Sequence, residues 1–325
     1  MLPLRVFRLA AALLLLSVLP AACTHRLPRS SADWQRYDYQ WPQMGAVFHL
    51  SFYAPDSALA GRAARRVMAR MDSLEAVMSD YRPDSELMRL CDQAGPGKKV
   101  PVSRDLWRVL QISQRFSRLS DGAFDASVGP LTRLWRRARH LQELPDSSKV
   151  NEARTLVGWQ NIRLYRRPYR VELRKPGMKL DLGGIGQGFA ADECLNILRT
   201  FGITRALADA GGDIALGDPP PDAVGWTVAI PERFSATPLL LARCGITSSG
   251  ATARYLEAGG RRYSHIVDPR TGWGLTHRVL VTVQAPTATE ADAWATAISV
   301  MGESGWNKMK KRYPRLTVWA GDVPF

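Results

Sequence analysis

The sequence is poor in the residues that build thiolate metal sites and disulfide frameworks. Of 325 residues, 4 are cysteine and 5 are histidine. There is no CxxC pair and no Cys/His cluster, which excludes the usual structural zinc modules. With Cys23 set aside for the reason given below, Cys91, Cys194 and Cys244 cannot all pair with one another, and they read as small buried hydrophobes. No apolar run reaches the roughly 20 residues needed to span a bilayer. No internal repeat of solenoid length is present, and 46% hydrophobic with 23% charged residues describes an ordinary globular chain. Acidic residues are also in deficit, 30 against 44 basic, for a net charge of +14. The charges are scattered. Their one dense run, "RLWRRARH" (133–140), reads as the solvated face of a helix, or as a lure for an anionic ligand or acidic lipid headgroups.

What is present begins with a leader. Arg5 and Arg8 precede the apolar run Leu9 to Leu19, and "PAAC" follows: a positive start, a short apolar core and small residues at the exit. Residues 1–22 are therefore expected to be a signal peptide. "LPAAC" further resembles the bacterial lipoprotein signal, with Cys23 as the lipidated residue, although Pro20 stands where that pattern usually has Leu. The expectation is export across the inner membrane and anchorage on the periplasmic side through Cys23. Plain cleavage near Ala22, giving a soluble periplasmic protein, is the other possibility. Export argues against a nucleic-acid partner for the +12 that remains without Arg5 and Arg8.

Residues 23–40 read as a polar linker, and 41–325 as the folded domain, in one body or two lobes. "MGAVFHLSFYA" (44–54) alternates as a strand does. Val67, Met71, Leu74 and Met78 recur at helical spacing. Ser103 is placed to cap a second helix whose inner face holds Leu106, Leu110 and Phe116, and Asp146 to open another that ends by Gly158. "SDGAFDASVGP" reads as a loop. "RVELR", "KLDL", "RALAD", "GWTVAI", "RVLVTVQA" and "LTVWA" read as strands, with helices from Phe189 to Thr200 and from about Thr289 to Met301. Several strands follow one another directly, so the fold is mixed α/β without a purely parallel sheet.

Three stretches carry chemistry. "KLDLGGIGQGFAADE" (179–193) joins a glycine-rich turn to a helix start, a backbone suited to an anion. Gly186, Gly188 and Ala191 satisfy the dinucleotide pattern GxGxxG/A, and Asp209 follows about 20 residues on, as in NAD- or FAD-dependent oxidoreductases. That pattern usually opens its domain, however, and here it lies deep within the chain. In "TEADAWATA", Asp292 and Thr296 are four apart on one helix face and offer hard oxygen ligands suited to magnesium; many helices carry such a pair on their surface. In "YSHIVDPRTG", His265 lies between Ser264 and Asp268. Alone, such a histidine is more often structural than functional.

Together, and in this order, "DLGGIGQG", "DAGGDIALG", "RYSHIVDPRTG" and "ADAWATA" resemble the FAD:protein FMN transferase (ApbE) family. "QMGAVFHL", with Ala46 where the family has Thr, "MSDYRPDSELMRL" and "GAFDASVGPLTRLW" extend the likeness over residues 40 to 305. The resemblance implies an α+β (mixed α/β) fold of largely antiparallel sheets flanked by helices, with a flavin cleft. It implies an enzyme that splits FAD, joins the FMN half to a threonine hydroxyl of a partner protein and releases AMP. By motif position it implies FAD contacts from Met44, Tyr81, Ala123, Phe124, Asp125, Asp181, Gln187 and Ile266. It implies Mg²⁺ on Asp292, Thr296 and the Gly184 carbonyl. Gln187 stands where the family often has Lys or an acidic residue. His265 is the candidate general base, with Asp268 to orient it. The implied acceptor carries a Ser/Asp-Gly-Ala/Ser-Thr motif in a membrane redox complex. "SSGAT" places a similar motif at Thr252 of this chain, where the family commonly has Thr-Ser-Gly within its folded body. Two alternatives stay open: a lipoprotein that binds FAD without cutting it, and a hydrolase that yields FMN and AMP.

Overall fold

The computed structural model describes residues 34–250, 255–277 and 279–322; the leader, Cys23 and Thr252 lie outside the described residues. The chain opens with an antiparallel hairpin, β1 (Gln35–Gln43) and β2 (Ala46–Ala54). Its turn, Met44–Gly45, has φ of 50° and 73°, the primed-turn geometry that matches strand twist. β1 corrects the linker expected over 23–40. Tyr37, Tyr39 and Trp41 alternate, and all three pack onto the main core; Tyr39 stacks on Phe52 with ring centroids 5.8 Å apart. That period-2 aromatic row is a strand signal within an otherwise polar segment.

Next come α1 (Ser57–Met78), α2 (Glu86–Asp92), β3 (Val100–Pro101) and α3 (Arg104–Leu119). The expected faces of α1 and α3 are buried, and Ser103 caps α3 through the Leu106 N–H. Within the expected loop 120–130 a short 3₁₀ turn spans 126–128, and α4 (Gly129–Leu141) already begins. α5 (Ser147–Thr155), capped by Asp146, leads to the hairpin β4 (Ile162–Arg166) and β5 (Tyr169–Leu173). "KLDL" forms no strand. Its backbone runs alongside the 126–128 turn, with the Asp181 N–H donating to the Ala126 carbonyl at 2.9 Å and the Leu180 N–H to Cys91 Sγ at 3.2 Å.

α6 (Gly186–Arg199) then leads to β6 (Ala206–Ala210), β7 (Asp213–Leu216), β8 (Trp226–Val228), β9 (Leu239–Leu241), β10 (Cys244–Gly250), β11 (Tyr255–Ala258) and β12 (Arg261–Ser264). β13 (Val279–Ala285), α7 (Ala288–Met309, kinked at Gly302) and β14 (Thr317–Asp322) complete the elements. The principal sheet has the order β1-β2-β6-β7-β10-β13-β14, and every strand pairing among the described residues is antiparallel. β6 therefore has no parallel neighbour, and Asp209 does not sit at a dinucleotide switch point.

α1, α6 and α7 cover one face of this sheet, burying Phe48, Leu50 and Phe52 in the main core. The other face packs Leu216 and Ile246 against Trp226 and Val228 of the β8–β9 hairpin. A satellite cluster around Trp135 and Val150 joins α4 and α5 to β11 and the 263–273 loop. Trp135 is not on a solvated face: it is fully buried and its Nε1–H donates to the Gly272 carbonyl at 2.9 Å. Cys91, Cys194 and Cys244 are buried free thiols, and burial pushes Cys91 up to about 11.

A chain starting at Trp41 loses most of β1 and should melt several degrees lower than one starting at Trp34. Thermal denaturation followed by circular dichroism checks this.

Candidate functional site: the glycine turn and the α6–α7 contact

The turn at 183–185 delivers the chain into α6 with Ile185 as its N-cap, a residue that supplies no capping side chain. Gly186 N–H donates to the Leu182 carbonyl, whereas the N–H groups of Gly184 and Gln187 have no protein acceptor among the described residues. Unpaired amides at the positive end of a helix form an anion site.

α7 crosses close by because two glycines leave room. A Cβ on Gly188 would lie 2.4 Å from the Ala288 carbonyl oxygen and 2.8 Å from Asp292 Cβ; one on Gly184 would lie 2.7 Å from Thr296 Oγ1. Asp192, one turn along α6, accepts from the N–H groups of Ala288 (3.0 Å) and Thr289 (2.9 Å) and from the Thr289 hydroxyl. It thus closes the N-terminus of α7. The packing brings Gly184, Asp292 and Thr296 together from turn and helix.

These residues fit a divalent cation. Asp292 is buried, and one of its oxygens accepts a hydrogen bond of 3.2 Å from Gly188 N–H; no further protein donor reaches it among the described residues. Burial and the neighbouring Asp213 raise its pKa well above the usual carboxylate range. Asp213 is itself buried, takes one hydrogen bond of 2.8 Å from the Thr247 hydroxyl and is pushed up to about 7, by burial first. An under-bonded buried carboxylate facing a second one is a site that a cation would relieve. A carboxylate, a hydroxyl and a carbonyl are hard oxygen donors, matched to magnesium. No group of three or more His, Cys, Asp or Glu side chains that could hold a metal occurs among the described residues.

The hairpin turn carrying Met44 abuts the same region. A Cβ on Gly211 would lie 2.6 Å from Ala46 Cβ and 3.4 Å from Gln187 Nε2, so the β1–β2 turn, the "DAGG" turn and the α6 N-terminus meet. On the other flank, Asp181 Oδ2 accepts from Thr132 Oγ1 (2.7 Å) and Arg136 (2.8 Å), while Oδ1 accepts from Gly183 N–H (2.8 Å). Arg136 also lies 2.5 Å from Asp80, and its guanidinium sits 4.3 Å from the centre of the Tyr81 ring. Burial works against the Arg136 charge, but Asp181 and Asp80 outweigh it. Tyr81 is otherwise 71% exposed.

The remaining expected residues are placed less simply. Ala123, Phe124 and Asp125 are buried. Asp125 accepts from the Ser127 N–H and hydroxyl and from the Trp159 N–H, so it organises its own loop. Ile266 packs with Ala123, Leu275 and Val300. His265 is half-buried in the adjoining loop. Asp268, expected to orient it, grips Arg270: the carboxylate accepts from the Arg270 N–H and pairs with its guanidinium at 2.9 Å. An arginine two residues along a tight turn competes at close range for that carboxylate. Three residues of evident importance were not singled out from sequence: Asp213, Asp192 and Arg136. The repeated acid of "DAGGD" was the one available signal for Asp213.

Comparison with known proteins shows which proteins this chain is similar to. An FAD:protein FMN transferase of Klebsiella pneumoniae is 33% identical over 304 residues, covering 90% of this chain and 85% of its own. One from Escherichia coli is 30% identical over 279 residues, covering 83% and 79%. The apo structure of Pseudomonas stutzeri flavinyl transferase ApbE matches with a TM-score of 0.79 at 25% identity, over 90% of this chain and 92% of that one. The Thermotoga maritima ApbE protein matches with a TM-score of 0.78 at 26% identity, over 89% and 94%. The fold is that of the flavin transferases. The ApbE family pattern matches residues 44–319, and the chain belongs to the ApbE family.

A pH dependence follows from the buried acids. Because the folded-state pKa of Asp213 is raised, the native protein keeps a proton that the unfolded chain releases above pH ~4. Stability of the metal-free protein is therefore expected to fall as pH rises from ~4 toward 7. Asp213→Asn should flatten that fall, read as melting temperature against pH in the presence of a chelator.

Proposed function

We propose that this chain transfers FMN from FAD to a threonine hydroxyl of a partner protein in a magnesium-dependent reaction that releases AMP. FMN transfer from FAD to protein is the activity for which its relatives are named. The observation that carries the finer reading is the meeting of unpaired α6 amides with Gly184, Asp292 and Thr296. Donors for phosphate and acceptors for a cation stand side by side there.

The main-chain N–H groups of Gly184 and Gln187 would bind the pyrophosphate. Magnesium held by Asp292, Thr296 and the Gly184 carbonyl would neutralise phosphate charge and the charge growing on departing AMP. Tyr81, backed on one side by Arg136, offers its exposed face for stacking against a planar ring of FAD. The side chains of Ala123, Phe124 and Asp125 are turned inward, so contact there would run through the main chain. His265 would take the proton from the incoming threonine Oγ. A bond forms from that oxygen to the FMN phosphorus as the phosphoanhydride bond to AMP breaks, so the protein works mainly by positioning and electrostatics.

The leader and Cys23 support export and a membrane-anchored place on the periplasmic side. The acceptor is read as a Ser/Asp-Gly-Ala/Ser-Thr segment of a membrane redox complex subunit.

Incubation with FAD, Mg²⁺ and a Ser-Gly-Ala-Thr peptide tests the reading by mass spectrometry. The peptide should gain FMN; untouched FAD would indicate binding alone, and free FMN without adduct would indicate hydrolysis. Asp292→Ala should lower Mg²⁺-dependent turnover by at least ~100-fold, and unchanged activity would remove Asp292 from the metal site. His265→Ala should bind FAD normally yet lose ~10²-fold or more in transfer, measured by FAD titration beside the peptide assay.

A further inference from the structure

The β4–β5 hairpin has one face on the core and one toward solvent. Ile162, Leu164, Val171 and Leu173 point inward, and Tyr169 packs on Trp107 of α3 with ring centroids 5.2 Å apart. The cross-strand pairs Arg163–Glu172 and Tyr165–Arg170 occupy the opposite face. Lys99, just before β3, lies over the Tyr165 ring at 4.7 Å, and Arg174 follows β5 on the same outward parity. The hairpin tip adds Arg166 and Arg167. These six cations are all exposed, and none forms a salt bridge among the described residues.

The single acid on this face is inward in its bonding. Glu172 is buried and accepts from the Gly97 N–H (2.8 Å) and the Tyr165 hydroxyl (2.9 Å), which hold its carboxyl below the usual range. It is ionised, and Arg174 and Lys99 also favour its charge, but one carboxylate offsets only one of the six cations. The arginines nearest the candidate site and the main core are paired: Arg70 with Asp105 and Glu193, Arg136 with Asp80 and Asp181. Six unpaired like charges on one short sheet repel one another and raise the cost of the folded state, unless an extended anionic surface lies opposite. A hairpin face is nearly flat, and arginine side chains on it can reach many phosphates without rearranging the backbone.

We propose that the outer face of the β4–β5 hairpin docks the protein on an anionic phospholipid surface. Charge complementarity selects the partner class, and the chain's own sequence selects a membrane over other polyanions. If Cys23 carries lipid, 10 residues lie between it and Trp34, a reach of at most about 3.5 Å per residue. The folded body then stays within a few Debye lengths of the headgroups. No helix among the described residues is long and apolar enough to cross a bilayer. Docking by this face would add a second attachment to the lipid and fix which side of the body faces the membrane.

The test is co-sedimentation of the mature full chain with vesicles of phosphatidylcholine alone and with one-third phosphatidylglycerol, at low and high salt. A preference of at least tenfold for the anionic vesicles is expected, largely lost in high salt. Arg163→Glu with Arg170→Glu should abolish most of that preference while FMN transfer to a soluble peptide and the melting temperature stay unchanged. An anionic preference that survives the double reversal, or its absence from the unmodified protein, would overturn the proposal. Because the readout is vesicle binding, it stands or falls separately from the transferase reading.

Discussion

The site depends on how closely α6 and α7 approach. Gly188 lets the Ala288 carbonyl and Asp292 sit where a side chain would otherwise be, and Gly184 does the same for Thr296. A methyl group at either place would push the helices apart. The contact also has an electrostatic part: the positive end of α6 points at the Asp292 carboxylate, and Asp192 on α6 closes the opening turn of α7. Each helix supplies what the other's terminus lacks.

Around that contact the fold keeps two kinds of surroundings separate. The principal sheet and its helices provide a dry, tightly packed floor on which Asp213 and Asp292 remain buried together. The satellite of α4, α5 and the 263–273 loop, stiffened by Trp135, Tyr263 and Trp273, carries the polar rim with Arg136 and His265. Buried acids below and a polar, basic rim above suit a reaction that must neutralise charge yet admit two partners.

Much of this was legible in the sequence, for identifiable reasons. Val67, Met71, Leu74 and Met78, Ser103 with Leu106, and Asp146 before α5 are local signals, and local signals survive tertiary packing. The Asp292/Thr296 spacing was legible because both lie on one helix, although their partner Gly184 came only from family likeness. What escaped was set by distant contacts. "KLDL" has strand-like composition but finds a loop beside it instead of a strand edge. Arg136 looked like one charge in a solvated run until Asp80 and Asp181, far apart in the chain, closed on it. Asp268 was matched to His265 by proximity, and its pairing with Arg270, two residues on, was not foreseen. The aromatic alternation of β1 was present in the sequence and outweighed by the polar residues between.

The crowding at Gly211 has a consequence for variation. Ala46 and Gln187 both border the space a side chain at 211 would need. The three positions share one small volume, and Gly211 is further held at φ 78°, a conformation that disfavours any side chain. A larger residue at 46 or a rearranged one at 187 therefore draws on the same space, so substitutions at the two positions are expected to be tolerated together or not at all.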